Sequence, residues 1–351
     1  MTNDQTSGLA GVTGSNQPKQ AGEIPLRWEW VEHSVWTERM LTRLEQSEPR
    51  TVWYGLWDKV ISERNMQAAF WAVWRNAGAP GVDGQSVGQF EAQEVGELAK
   101  LREELRDKRY HRQAARRVWI PKPGTTEKRP LGIPAVRDRT VEAALKQVLE
   151  PIFEHDFAEQ SYGFRPGRGC REAVKRVEEL LSQGHGWCVE LDFKSYFDTI
   201  PHEGLLGLIG QRVVDGSVLT LLTQSLKAGV LEEMKGWEPT EAGTPQGAVI
   251  SPLLANLYLN PLDHEMVKRG WEMVRYQQFS FWQCSIAGAV GICLVEGARR
   301  RVKILKCSPW WVGVVPFGSC QRGLTHFWPS FRPGAVPGTR YGPTPAGTPQ
   351  A

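Results

Sequence analysis

Hydrophobic positions recur at helical spacing through most of the first 276 residues, interrupted by a few short alternating runs. Within SERNMQAAFWAVWRNAG, the stripe Met66, Phe70, Val73 and Trp74 predicts an amphipathic helix, with Ser62 as its N-cap and Gly78 as its stop. After the turn cluster GAPGVDG, the stripe Val95, Leu98, Leu101 and Leu105 predicts a second helix ending near KRYHRQ. RRVWIPK and RPLGIP read as two strands joined by the polar loop PGTTEK, a hairpin with a basic tip. VEAALKQVLEPIF reads as a buried helix, SYGFRPGRGC as a loop, and REAVKRVEELLSQG as a helix stopped by glycine.

WCVELDF then predicts a buried strand ending at Asp192. Helices follow around LLGLIGQRV and VLTLLTQSL, and VLEEMKGWEPTEAGTPQG resembles a hairpin. A helix over ISPLLANLYLNPLDHEMVKRG, apolar at Leu253, Leu254, Leu257, Tyr258 and Met266, leads into an alternating strand, WEMVRYQQFS, apolar at Met273 and Tyr276. Helices mixed with short strands predict an α+β or α/β fold, and no internal repeat is present. Residues 1–25 are polar and predict a disordered N-terminus.

Composition changes this picture at one place. The net charge of +3 is the sum of two unlike parts. Residues 277–351 hold eight Lys or Arg and one acid, Glu296, a net of +7; the 34 basic and 38 acidic residues before them give −4. The same stretch has no Asp or Asn, eight prolines, ten glycines and four of the six cysteines. Such a segment predicts a basic, disordered tail, although its Trp and Phe content is odd for a solvated arm. None of the cysteines forms a C-x-x-C pair, so neither a zinc site nor a disulfide framework is indicated. The polar N-terminus and the lack of a run of about 20 apolar residues point to a cytoplasmic protein with no membrane partner.

Several residues could carry chemistry. Asp192 ends an apolar strand, where it is either an ordinary strand-end or capping acid or a metal-binding carboxylate. Asp198 and His202 read as a structural cap and a cap or surface residue. Lys122, Lys128 and Arg129 lie close together on the hairpin, either as a solvated turn or as a clamp for a polyanion. Arg165 and Arg168 alternate with Tyr162 and Phe164, a mixture that can neutralise phosphates and stack on bases. The glycines around Gln246 in GTPQG allow close approach of backbone to a ligand.

Each of these signals is weak alone, but their order is specific. NAGAPGVDG (residues 76–84), IPKP with KRPLGIP, SYGFRPGRG, the Asp192 strand and GTPQGAVISPLLANLYLNPLDHEM succeed one another as in the reverse transcriptases encoded by bacterial group II introns, the intron maturases. The chain resembles that family from about Trp53 to Tyr276, with small departures such as Ala248 where glycine is usual. The resemblance implies a right-hand polymerase: helical fingers over residues 26–115, then fingers and an incomplete palm over residues 116–276. It implies that Lys122 and Arg129 hold the triphosphate and that Asp192 and the Phe193 carbonyl bind metal. Phe197 would then exclude a 2′-hydroxyl, Gln246 would line the nucleotide pocket, and Arg165 and Arg168 would contact nucleic acid. Intron RNA, a DNA primer and dNTPs are the implied partners. Mg²⁺ is the implied cofactor, since nucleotidyl transfer uses two divalent ions about 3.5–4 Å apart.

After Tyr276 the resemblance stops. The family continues with Ala-Asp-Asp, and this chain continues with Gln277, Gln278 and Phe279. The composition breaks at the same residue, as an out-of-frame reading after the Tyr276 codon would produce. The expectation is a chain with no thumb, a tail that does not fold natively, and no polymerase activity. The alternatives are a non-catalytic RNA-binding remnant, or descent from a retron, diversity-generating or CRISPR-associated reverse transcriptase.

Overall fold

The computed structural model describes residues 26–48, 51–121, 126, 128–185, 187–193, 195–232, 235–244, 247–277, 290–296 and 310–316. The N-terminal third is helical: α1 (Glu38–Glu45), α2 (Trp57–Val60), α3 (Glu63–Asn76), α4 (Val87–Glu91) and α5 (Glu94–Arg106). Ser62 caps α3 as expected, its side chain accepting the Asn65 amide, and the chain leaves the helix through Ala77 and Gly78, both at positive φ. Met66, Phe70 and Val73 are buried, but Trp74 is 40% exposed, and in α5 Val95 is 83% exposed while Leu98, Leu101 and Leu105 are buried. In each case the stripe is one residue narrower than its hydrophobic letters, because the neighbouring helix covers only part of the helix surface.

β1 (Ala115–Pro121) and β2 (Lys128–Ile133) form the expected antiparallel hairpin, Arg116 opposite Ile133 and Pro121 opposite Lys128. α6 (Val136–Glu154) follows and is buried along most of its 19 residues. Asn65 of α3, fully buried, donates to the carbonyls of Val60 and Ala144, which fastens α3 to α6 and satisfies its own buried amide nitrogen. Next come α7 (Cys170–Ser182), β3 (Trp187–Phe193), α8 (Tyr196–Thr199), α9 (His202–Gly210) and α10 (Gly216–Lys227). β4 (Val230–Glu232) and β5 (Gly236–Glu238) form a short hairpin, and β4 adds to β1 in parallel, giving a four-stranded sheet of order β2-β1-β4-β5.

α11 (Ser251–Lys268) leads to β6 (Glu272–Gln277), and β7 (Val290–Glu296) and β8 (Trp310–Pro316) complete a second sheet of order β6-β7-β3-β8. The tail therefore contributes two strands where the sequence predicted no regular element; VGICLVE and WWVGVVP are rich in the β-branched and aromatic residues that favour strands. β6 does not alternate as expected: Met273, Val274 and Arg275 are all buried. Met273 joins the main core and Val274 packs with Ala173 and Leu180 of α7, so both faces of the strand are covered. Its outer edge is covered as well, because Arg275 exchanges main-chain hydrogen bonds with Gln160 and Tyr162. One hydrophobic core runs from Trp28 to Met273. No helix among the described residues is long and apolar enough to cross a membrane.

Candidate functional site

The sequence blocks converge because glycines let backbone meet backbone. A Cβ at Gly81 would lie 2.5 Å from the Ala135 main chain, so residues 76–84 sit directly on the start of α6. Arg116 donates twice to the Pro80 carbonyl, and Arg139 donates to the carbonyls of Ala77 and Ala79, which fixes that turn against β1 and α6. The segment 243–249 is held at both ends. At one end a Cβ on Gly247 would meet the Gly132 carbonyl of β2 at 2.2 Å, and the Val249 amide donates to Glu142 of α6 at 2.8 Å. Glu142 is fully buried and ion-paired with Arg112, which also donates to the Ser225 carbonyl of α10. Burial pushes the Glu142 carboxyl up, with Arg112 opposing.

At the other end, the Gly243 amide donates to the Ile200 carbonyl and the Thr244 amide to the Phe197 carbonyl, each at 2.7 Å. Asp192 is the penultimate residue of β3, with its main chain opposite Gly291 and Trp311; its side chain lies outside the described residues. Ser195, in left-handed conformation at φ 51°, turns the chain sharply from β3 into α8. Phe193 and Phe197 flank Tyr196, with ring centroids 5.4 and 5.8 Å away, and all three are buried. The Tyr196 hydroxyl donates to the Ala255 carbonyl of α11 at 2.7 Å, and burial raises its pKa.

Behind this corner lies a buried polar network. Arg275, with no exposed surface, contacts both oxygens of Asp263, the Asn256 amide oxygen at 3.0 Å and the Ser161 hydroxyl at 2.6 Å. Asn256 in turn donates to the Gly163 carbonyl, so β6, α11 and the SYGF loop are joined through side chains. Burial raises the Asp263 pKa even though Arg275 pulls it down.

Of the residues singled out from sequence, Arg129 is half-buried on β2 opposite Ile120, and Lys128 beside it is exposed. Lys122 and Gln246 lie outside the described residues. Arg168 pairs with Glu159 and stacks over Tyr162, 5.6 Å from its ring centroid. Arg165 turns inward instead of toward a ligand: it is 5% exposed and holds Glu154 through two nitrogens and the carbonyls of Ala158 and Ser161 through the third. His202 is not on the surface; it is 7% exposed and its Nε2 lies 2.7 Å from the Gly243 carbonyl. Its partner is 41 residues away, so no local pattern announces it. Glu142, Arg112 and Arg275 were missed for the same reason: Glu142 sits in a helix, Arg275 in a strand and Arg112 in the loop before β1, and each pairs with a residue remote in the chain.

The described residues alone do not fit a two-ion centre, and the Asp192 side chain lies outside them. Among the described residues no group of three or more His, Cys, Asp or Glu could hold a metal. β6 ends at Gln277, and the sequence continues with Gln278 and Phe279, neither of them a carboxylate, the ligand type that hard dications favour.

Residues 120–278 match the family model for reverse transcriptase (RNA-dependent DNA polymerase). Protein YkfC of Escherichia coli K12 is 40% identical over 237 residues, 66% of this chain and 62% of that protein. The group II intron-encoded protein LtrA of Lactococcus lactis subsp. cremoris is 42% identical over 166 residues, 47% of this chain and 27% of LtrA. The chain thus spans less than two thirds of the length of either relative. A solved chain of a partial Cas6-RT-Cas1–Cas2 complex aligns over 70% of this chain and 39% of its own, with a TM-score of 0.44 and 20% identity. Residues 120–278 are therefore a reverse transcriptase domain, and its homologues include group II intron-encoded proteins.

Proposed function

We propose that the chain is the fingers and incomplete palm of a group II intron-type reverse transcriptase, and that it no longer polymerises DNA. Its ancestral work is copying intron RNA from a DNA primer with dNTPs and Mg²⁺, and assisting the RNA to fold and splice, in the cytoplasm. Lys122 and Arg129 hold the triphosphate, Phe193, Phe197 and Gln246 line the nucleotide pocket, and Asp192 is the remaining catalytic carboxylate. The observation that carries the reading is β6: Arg275 and Tyr276 are built into the fold, and the next residues are Gln277, Gln278 and Phe279. The family match ends at residue 278, which supports a frame change after the Tyr276 codon.

Primer extension on an RNA template with Mg²⁺ or Mn²⁺ tests this. Synthesis should fall about a thousandfold or more below an intact relative, the scale of losing several kcal/mol of transition-state stabilisation. Synthesis that exceeds background and disappears in Asp192→Ala would overturn the proposal. In the nucleotide sequence, a shifted frame after the Tyr276 codon should encode Ala-Asp-Asp and a thumb; immediate stops in both other frames would remove the frame-change explanation. A purely RNA-binding role is less well supported, since Arg165 is engaged internally and residues 1–276 carry a net charge of −4.

A further inference from the structure

We infer that His202 is a specificity-determining positioning residue, which locks the aromatic gate Phe197 through the Gly243 carbonyl and thereby sets the preference for deoxyribonucleotides over ribonucleotides. The inference rests on the assignment of Phe197 to the nucleotide pocket. Its geometric basis is independent of that assignment.

Three hydrogen bonds meet within two residues of the 243–249 segment: Gly243 amide to Ile200 carbonyl, Thr244 amide to Phe197 carbonyl, and His202 Nε2 to Gly243 carbonyl, each 2.7 Å. Gly243 is at φ +88°, and a Cβ there would lie 2.6 Å from the Phe197 carbonyl and 2.7 Å from the Asp198 Cα. The two backbones are therefore in direct contact, and any lift of Gly243 is transmitted to Phe197. Of the three bonds, the His202 bond alone uses a side chain, and mutation can remove it without altering the backbone. A carbonyl can only accept, so His202 Nε2 must carry hydrogen, which fixes the ring as a donor in this position.

The gate is otherwise well supported. Tyr196, anchored on Ala255, stands between Phe193 and Phe197, and Thr199 donates to the Tyr196 carbonyl at 3.1 Å. The His202 latch holds Gly243, whose backbone abuts the Phe197 carbonyl. Without it the buried Gly243 carbonyl loses its partner, and the segment gains by moving toward water. Discrimination between a hydrogen and a hydroxyl at C2′ depends on a wall placed to within a fraction of an ångström, so a loosened gate relaxes sugar selectivity before it abolishes binding.

The full chain can be tested without requiring polymerisation. Amide hydrogen exchange across residues 240–248, and fluorescence titration with fluorescent dATP and ATP analogues, are measured for the wild type, His202→Ala and His202→Gln. Gln places an amide donor near the position of Nε2. In His202→Ala, exchange at Gly243 and Thr244 should accelerate while α9 and α10 remain protected, and the dATP:ATP preference should fall about tenfold, the scale of one lost buried hydrogen bond. His202→Gln should recover both. Unchanged exchange at Gly243 and Thr244 in His202→Ala would overturn the latch. Loss of protection throughout α9 in both variants would overturn it too, by making His202 merely a core residue. Faster exchange with an unchanged preference would overturn the selectivity role. A wild type that binds neither analogue would overturn the pocket assignment and the selectivity role together, while the exchange result would still decide the latch.

Discussion

β6 and β7 are neighbours in one sheet, with Tyr276 opposite Gly291, yet they come from stretches of unlike composition. β6 is fixed by side chains: Arg275 is bound by Asp263, Asn256 and Ser161, Met273 lies in the core, and Val274 packs on α7. β7 comes from the segment whose composition departs from the rest, and it joins through the main-chain ladder that any β-prone sequence can supply. The contrast separates two requirements that are easily merged. Strand pairing is generic, so a stretch of very different composition can complete a sheet. A catalytic site needs particular side chains on particular strands, and no amount of correct pairing provides carboxylates.

The sharpest way to break this comparison is at Arg275. Arg275→Met leaves Asp263 as an uncompensated buried charge and should cost about 3–5 kcal/mol in thermal or chemical unfolding. A cost below about 1 kcal/mol would mean that β6 is no more specifically held than β7. For the tail strand the matching test is backbone: Cys293 pairs with both Glu190 and Val274, and Cys293→Pro removes an amide from the middle of the ladder. The expected loss is about 1–3 kcal/mol, and no change in unfolding would show that β7 does not contribute to the sheet. At the cap of α3, Ser62→Ala should cost about 1 kcal/mol, as a reference for ordinary local stabilisation in the body.

The smallest effect expected is with pH. Burial, as the leading cause, raises the pKa values of Asp138, Glu142, Glu150 and Asp263 above their unfolded values. In the window between the two values the folded chain binds more protons, so their contribution is fully present below the unfolded carboxylate range of about 4 and declines as pH rises through the folded values. Glu159 works in the opposite sense: burial raises it, but its hydrogen bond and ion pair to Arg168 bring it below the usual range. The melting temperature should therefore be higher near pH 5 than near pH 8. The reverse order would show that the buried carboxylates keep their charge without strain.

Much of the fold was legible in the sequence where the signals are local. The hairpin of β1 and β2, the Ser62 cap and the buried α6 all follow from spacing and turn residues. Trp74 and Val95 misled because hydrophobic letters report what a residue could bury, whereas burial depends on what packs against it. The site was legible as a set of glycines and aromatics, since close backbone approach leaves a mark in the residue type: Gly81, Gly243 and Gly247 each touch another block. Charge was the poor guide. Arg165 and Arg168 lie three residues apart in one loop and look equivalent on paper, yet one is buried against Glu154 and the other is half-buried over Tyr162. Their separation depends on contacts with residues remote in the chain, and His202 was misplaced for that reason too.

The covered outer edge of β6 bears on how the molecule behaves at high concentration. An open strand edge is a template on which other chains can add, and sheets grow into aggregates from such edges. Here the outward amide and carbonyl of Arg275 are already taken by Gln160 and Tyr162, within the same chain and next to a buried ion pair. A second molecule would have to displace that loop before it could pair with β6. At Arg275, growth of the sheet on this side is therefore blocked by the same segment that carries the SYGF sequence.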